Sequence, residues 1–276
     1  MGRHPGWTGV IAALQKNNKE PGLPGCWKKV QLYLQRIGGD DMNVPQPAMT
    51  AALRRSRIVP VIMIDDPKNA VPLAGALLDG GLPIAEITLR TPRALEALRR
   101  ITQEQPEMLA GAGTVLNVAQ AAQSRDAGAK FIISPGFNRG VVDYCLEHDL
   151  PVYPGVATAT EIEAALEAGL NLLKLWPIET LGGVAYLQLL SGPFAGVEFN
   201  PSGGLTAANF ESYLALRNVV ACGGAWMAQP DWIASGQFDR IRDVVRDSVA
   251  RVAGLAPSEI RPFERAPKIH DAAPAR

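Results

Sequence analysis

Leu172-Leu173-Lys174-Leu175-Trp176-Pro177 sets one lysine in the middle of an apolar run of strand length. Taking an ammonium out of water costs free energy unless the charge is paired or discharged. No acidic residue lies within four positions of Lys174, so local pairing does not explain it. A neutral amine held in an apolar setting is a nucleophile toward ketones. The rest of the chain decides whether this lysine serves a packed core or a reaction.

Outward from that run, short β-branched segments alternate with stretches rich in alanine and leucine, the pattern of repeated βα units. Strands are expected at 58–64, 84–89, 108–111, 131–134, 152–154, 172–176, 197–200 and 219–222. Helices are expected at 70–78, 92–103, 118–127, 140–148, 159–168, 184–190, 207–214 and 239–252. The spacers Gly80-Gly81, Ala127-Gly128 and Ala168-Gly169 suit helix ends, and each precedes a strand. Near-continuous apolar strands imply a parallel sheet covered on both faces. Eight such units predict an α/β fold of the compact TIM (β/α)8 barrel type. An open doubly wound sheet would be expected to carry a glycine fingerprint after its first strand, where this chain has Asp65-Asp66-Pro67.

The 276 residues divide into three parts on this reading. Residues 1–48, with frequent Pro, Gly, Asn and Lys and one helix-like piece at 27–37, form a poorly ordered extension; Met42 and Met49 are alternative starts. Residues 49–255 form the barrel, and the Pro- and Ala-rich residues 256–276 form a disordered tail. A formal net charge of zero gives no reason to expect nucleic acid or an anionic membrane as partner. No apolar run reaches the roughly 18 residues of a membrane span. The apolar patch at 9–14 runs into charged residues without a cleavage site, so no secretory signal is expected. Cys26, Cys145 and Cys222 have no metal-like spacing and read as reduced thiols of a cytoplasmic protein. The three histidines are too scattered for a metal site or a Ser-His-Asp triad.

In a (β/α)8 barrel the chemistry sits at the C-terminal ends of the strands. Alternation along 84–90 puts Glu86, Thr88 and Arg90 on one face. If that face is interior, Glu86 is a general base and Arg90 a clamp for a substrate carboxylate; the plainer alternative is a Glu86–Arg90 ion pair. Gly111-Ala112-Gly113-Thr114 and Ser134-Pro135-Gly136 are small-residue turns that let a ligand approach the backbone, and Thr114 can hydrogen-bond a carboxylate. Strands seven and eight run into Pro201-Ser202-Gly203-Gly204 and Gly223-Gly224-Ala225-Trp226. Paired glycine loops at these places often hold a phosphate through backbone N–H groups. Between 58 and 255 the only lysines are Lys68, Lys130 and Lys174, and only Lys174 lies inside an apolar strand.

With these residues placed, the chain resembles the family of 2-keto-3-deoxy-6-phosphogluconate (KDPG) aldolase and 4-hydroxy-2-oxoglutarate (KHG) aldolase. The resemblance runs from about residue 58 to 252. It rests on the ordered series Val59-Pro60-Val61-Ile62, Glu86-Ile87-Thr88-Leu89-Arg90-Thr91, Gly111-Ala112-Gly113-Thr114-Val115-Leu116, Ile133-Ser134-Pro135-Gly136, Pro154-Gly155-Val156-Ala157-Thr158, Lys174-Leu175-Trp176-Pro177, Gly192-Pro193-Phe194, Pro201-Ser202-Gly203-Gly204 and Gly223-Gly224-Ala225-Trp226. It implies Lys174 as Schiff-base lysine and Glu86 as catalytic glutamate. It implies Arg90 and Thr114 on the pyruvyl carboxylate, Trp176 as a wall, and Pro135, Ser202, Gly203, Gly204, Gly224 and Ala225 in the substrate site. It further implies a homotrimer without metal or other cofactor. Two departures are Ala225, where phosphogluconate-type members often carry a hydroxyl, and Ser202, where they often carry threonine.

The implied reaction is cleavage of 2-dehydro-3-deoxy-6-phospho-D-gluconate to pyruvate and D-glyceraldehyde 3-phosphate, a small keto acid and a phosphorylated aldehyde. The alternatives are cleavage of 4-hydroxy-2-oxoglutarate with the same lysine, the phosphogalactonate epimer as substrate, and a sugar-phosphate isomerase or epimerase on the same fold. The last would use the glycine loops but needs no strand-buried lysine.

Overall fold

The computed structural model describes residues 46–255. The expected segments outside that range, including the helix at 27–37 and the C-terminal tail, lie outside the described residues. The first described element is helix α1 (Gln46–Ser56), followed by β1 (Ile58–Ile62), α2 (Ala70–Asp79), β2 (Ile84–Thr88), α3 (Ala94–Glu104) and β3 (Leu109–Gly113). Then come α4 (Val118–Asp126), β4 (Ile132–Ile133), α5 (Arg139–Glu147), β5 (Val152–Tyr153), β6 (Gly155–Val156), α6 (Ala159–Glu167) and β7 (Leu172–Leu175). The remainder is α7 (Ile178–Leu181), α8 (Gly183–Leu190), β8 (Glu198–Pro201), α9 (Phe210–Leu214), β9 (Cys222–Gly224), α10 (Pro230–Ala234) and α11 (Phe238–Ala253).

The strands form two parallel sheets, ordered β5-β4-β3-β2-β1-β9 and β6-β7-β8. Two isolated parallel bridges, Phe199 with Val219 and Ser202 with Gly223, link β8 to the β9 run. Residues 152–156 are a single extended run that the sequence reading ended at Pro154. Pro154 has no N–H to give, so the ladder breaks there. Val152 and Tyr153 pair back to β4, whereas Gly155 and Val156 pair forward to β7. Helices cover the apolar strands as continuous runs of buried side chains require; α11 packs Ile241, Val245 and Val252 inward.

Helix α1 was not foreseen. Its Pro47 stands in the first turn, where a missing N–H costs nothing. Met49, Ala52, Leu53 and Ser56 recur at helical spacing and are all buried. The helix lies across the N-terminal ends of two strands. Gln46 Oε1 accepts from Val152 N at 2.9 Å, and Thr50 Oγ1 meets Tyr153 Oη at 3.2 Å. Arg54 grips Glu198, the first residue of β8, through both guanidinium nitrogens. Glu198 is buried, whereas a third of the Arg54 side chain remains in water.

That asymmetry predicts unequal costs. Arg54→Ala strands a buried carboxylate and should lower the unfolding free energy by about 2–4 kcal/mol, near the range for breaking a buried pair. Glu198→Ala leaves an arginine that can turn outward and should cost less. Urea melts of the two variants measure the difference; equal losses would count against this asymmetry.

Candidate active site

Lys174 is the third residue of β7 and Glu86 the third of β2. Both point inward, 6% and 0% exposed. Lys174 Nζ donates to Glu86 Oε1 at 3.0 Å and lies 3.5 Å from Oε2. The pair joins strands separated by 88 positions, which is why no local partner could be found in the sequence. The pairing that alternation allowed, Glu86 with Arg90, does not form. Strand β2 stops at Thr88, whose hydroxyl donates to Ile62 O at 2.7 Å. Arg90 lies beyond it in an exposed turn closed by Arg90 N donating to Thr88 O at 2.8 Å.

Room for the Glu86 carboxylate comes from Gly113. A Cβ there would lie 2.2 Å from Glu86 Oε1 and 2.5 Å from Cγ. Gly111 plays the same part for Phe131, whose ring would be 2.4 Å from a Cβ. The expected ligand-approach turn is thus different in kind. These glycines are inside β3, and the neighbouring side chains take the space. Thr114 follows immediately with φ 57°, the left-handed region that a β-branched residue rarely enters. It is half-buried at the strand end. Pro135 is also half-buried; its carbonyl lies so near Gly155 that a Cβ there would be 2.1 Å away. Gly155 in turn is the register partner of Lys174.

Beyond Lys174 the strand passes to Trp176, 42% exposed, whose indole lies over the Gly203 turn: a Cβ on Gly203 would be 2.9 Å from its Cδ1. Gly203 and Gly204 have φ of 92° and 91°, so both need glycine's freedom. Ile178 N and Glu179 N donate to Ser202 O and Gly203 O, fixing the loop against the start of α7. In the last loop Gly224 is bare because the Trp226 ring occupies its side-chain space. Trp226 stacks on Phe210 at 5.2 Å and donates to Ser248 Oγ at 3.2 Å. Ala225 is exposed and Ser202 buried.

Sequence reasoning missed the brace beneath the Gly203-Gly204 loop. Glu179 packs against Gly204, where a Cβ would be 2.5 Å from its Cγ. Its Oε1 accepts from the Tyr213 hydroxyl and from Asn209 Nδ2 at 3.1 Å. Burial first, then the Glu179 carboxylate, raises the Tyr213 pKa above the ordinary phenol range, so it stays a donor at working pH. The signal was weak: three polar residues from two separate segments. The thiols take no part. Burial pushes Cys145 up to about 12 and Cys222 higher still. Among the described residues no group of three or more His, Cys, Asp or Glu side chains could hold a metal ion.

A buried amine in contact with a carboxylate, set among strand ends beside two glycine loops, is the equipment of an enzyme that captures a carbonyl covalently and moves protons beside it. The chain belongs to the KDPG and KHG aldolase family, whose model matches residues 49–244. It is 48% identical over 190 residues to the 2-dehydro-3-deoxy-phosphogluconate aldolase of Treponema pallidum (strain Nichols), covering 69% of this chain and 90% of that one. It is similar to the structure of KDPG aldolase from Legionella pneumophila with pyruvate captured at low pH as a covalent carbinolamine intermediate. The two are 37% identical with a TM-score of 0.70, over 72% of this chain and 96% of that one. The 2-keto-3-deoxy-6-phosphogluconate aldolase of Zymomonas mobilis ZM4 with 3-phosphoglycerate is 32% identical, TM-score 0.69, over 78% and 100%.

Gly113→Ala tests the geometry directly. The added methyl must drive the Glu86 carboxylate off Lys174. The variant should keep its fold by circular dichroism yet lose at least about tenfold in the rate of borohydride trapping with pyruvate, for a displaced general acid–base. Unchanged trapping would mean that the 3.0 Å contact is idle.

Proposed function

We propose that the chain is a class I aldolase that cleaves 2-dehydro-3-deoxy-6-phospho-D-gluconate to pyruvate and D-glyceraldehyde 3-phosphate. The observation that carries this reading is the buried contact of Lys174 Nζ with Glu86 Oε1 at 3.0 Å. Glu86 takes a proton from the ammonium, and the free amine attacks the C2 ketone. The carbonyl oxygen gains two protons, one from the attacking nitrogen and one returned by Glu86, and leaves as water, giving an iminium. Glu86, directly or through a water, then removes the C4 hydroxyl proton. The C3–C4 bond breaks, its electrons pass to the iminium as an enamine, and the aldehyde departs. Protonation at C3 and addition of water release pyruvate and restore Lys174.

The other roles follow position. Arg90 and Thr114 stand just past the ends of β2 and β3 and are assigned to the carboxylate of the keto acid. Pro135 and Trp176 wall the site, and Ser202, Gly203, Gly204, Gly224 and Ala225 face the phosphate end. The pyruvate carbinolamine in the Legionella relative and the 3-phosphoglycerate in the Zymomonas relative support the two ends of this assignment. The chemistry needs no metal or dissociable cofactor.

The same reading joins the two sheets into one closed (β/α)8 barrel. The bridges between β8 and β9 and the unbroken chain through Pro154 support it. It also makes the protein a cytoplasmic homotrimer, whose barrel domain, expected to begin at Met49, takes in Gln46–Ala48 of α1 as well. Exposed apolar side chains such as Leu116, Val118, Leu146 and Leu189 support a contact between copies. No helix among the described residues is long and apolar enough to cross a membrane. Ala225, exposed and without a hydroxyl, favours 4-hydroxy-2-oxoglutarate as a second substrate.

Incubation with pyruvate and borohydride should add a stable pyruvate-derived mass to the peptide containing Lys174. A label on Lys68 or Lys130 instead would overturn the assignment. Glu86→Gln should lower kcat by about 10²–10⁴, the usual span for a general acid–base. Wild-type turnover in that variant would remove Glu86 from the mechanism. Values of kcat/KM on the phosphorylated sugar acid and on 4-hydroxy-2-oxoglutarate rank the two substrates.

A further inference from the structure

Asn200 is the register partner of Lys174 on β8, so the two side chains stand beside each other on the same inner face. It is 3% exposed, and its Oδ1 is buried without a hydrogen-bond partner among the described residues. A buried acceptor left unpaired is costly, and such atoms in folded proteins usually answer to a water or a ligand. Across from this oxygen β9 presents a glycine instead of a side chain. Gly223 on β9 faces it, and a Cβ on that glycine would lie 3.4 Å from Asn200 Oδ1 and 3.3 Å from Ser202 Oγ. Two oxygens two residues apart on one strand therefore converge on a niche that exists because position 223 has no side chain. One is an obligate acceptor and the other can donate as well as accept. The group that satisfies both is a hydroxyl.

We propose that Asn200 and Ser202, over Gly223, form a subsite that reads the C5 hydroxyl of the substrate, the hydroxyl next to the phosphate-bearing carbon. This inference rests on the aldolase reading of the site. Asn200 lies level with the lysine that captures C2, and Ser202 leads directly into the Gly203-Gly204 loop assigned to the phosphate. The niche falls between these two ends. The C4 hydroxyl is engaged by Glu86 in the cleavage step, so the next hydroxyl along the chain is the one left to fill it. 4-Hydroxy-2-oxoglutarate has a carboxylate carbon at that place and leaves the buried oxygen unpaired, which makes it the poorer of the two substrates. A site that hydrogen-bonds a substrate hydroxyl rejects the analogue lacking it, because its own polar atoms are then left unpaired.

The test runs in the condensation direction at saturating pyruvate, with two aldehydes that differ only in this hydroxyl: D-glyceraldehyde 3-phosphate and 3-oxopropyl phosphate. The wild-type enzyme should prefer the hydroxylated aldehyde in kcat/KM by roughly 10- to 100-fold. Asn200→Leu removes the acceptor, and Gly223→Ala fills the niche with a methyl at close but tolerable contact. Each should collapse the preference to within about threefold. A wild-type enzyme indifferent to the hydroxyl overturns the proposal, and so does either variant that lowers both aldehydes equally and keeps the ratio. An enzyme that forms no borohydride-stable adduct at Lys174 and joins neither aldehyde to pyruvate would remove the aldolase reading itself, a distinguishable failure.

Discussion

The constraint on which the site depends is the desolvated ion pair of Lys174 and Glu86. Two charges removed from water cost several kcal/mol apiece after relaxation, and their attraction offsets this only in good geometry. The strand framework supplies that geometry. Each residue sits in the middle of a short parallel strand whose backbone is hydrogen-bonded on both sides, so neither can drift to relieve strain. The absent side chain at Gly113 gives the carboxylate its place. Such a pair is a poor way to stabilise a fold, since apolar residues of similar volume would serve as well or better. Its presence there argues for use in chemistry.

The opposite requirement holds at the end we assign to the phosphate. There the ligand is itself charged and brings its own hydration, so the protein presents backbone in tight left-handed turns at Gly203 and Gly204. Left-handed turns held by glycine alone would be loose. The carboxylate of Glu179, clamped by Tyr213 and Asn209, packs into the bend from below and leaves one arrangement for the loop. A negative charge so close to the proposed anion site is acceptable because two donors already claim it.

Much of this was legible in the sequence, and the parts that were not share a cause. The βα repeat showed because apolar composition and spacing are local properties. Lys174 and Glu86 showed because a charged residue in an apolar run is conspicuous without any knowledge of its partner. What failed were inferences about which neighbour fills which space. Gly111 and Gly113 looked like ligand-facing turns, yet Phe131 and Glu86 occupy them. Arg90 looked like a continuation of the β2 face, but the strand stops two residues earlier. Helix α1 carried a helical period that its proline-rich approach obscured. Glu179 and Asn200 gave little or no signal, since the residues around them lie on other segments and become neighbours only in the folded chain.

Helix α1 also distributes stiffness. Gln46 and Thr50 hold β5, at the edge of the six-stranded sheet, while Arg54 holds β8, at the edge of the three-stranded one. One rigid rod is thus riveted to both sheets at their N-terminal ends, where the ladder is interrupted at Pro154 and thin between β8 and β9. At the opposite end loops replace rivets. A frame fixed at its foot and free at its rim deforms by splaying at the rim, the end where the strands point their C-termini. A helix at the opposite end from the chemistry thereby bears on which part of the molecule is free to move for it.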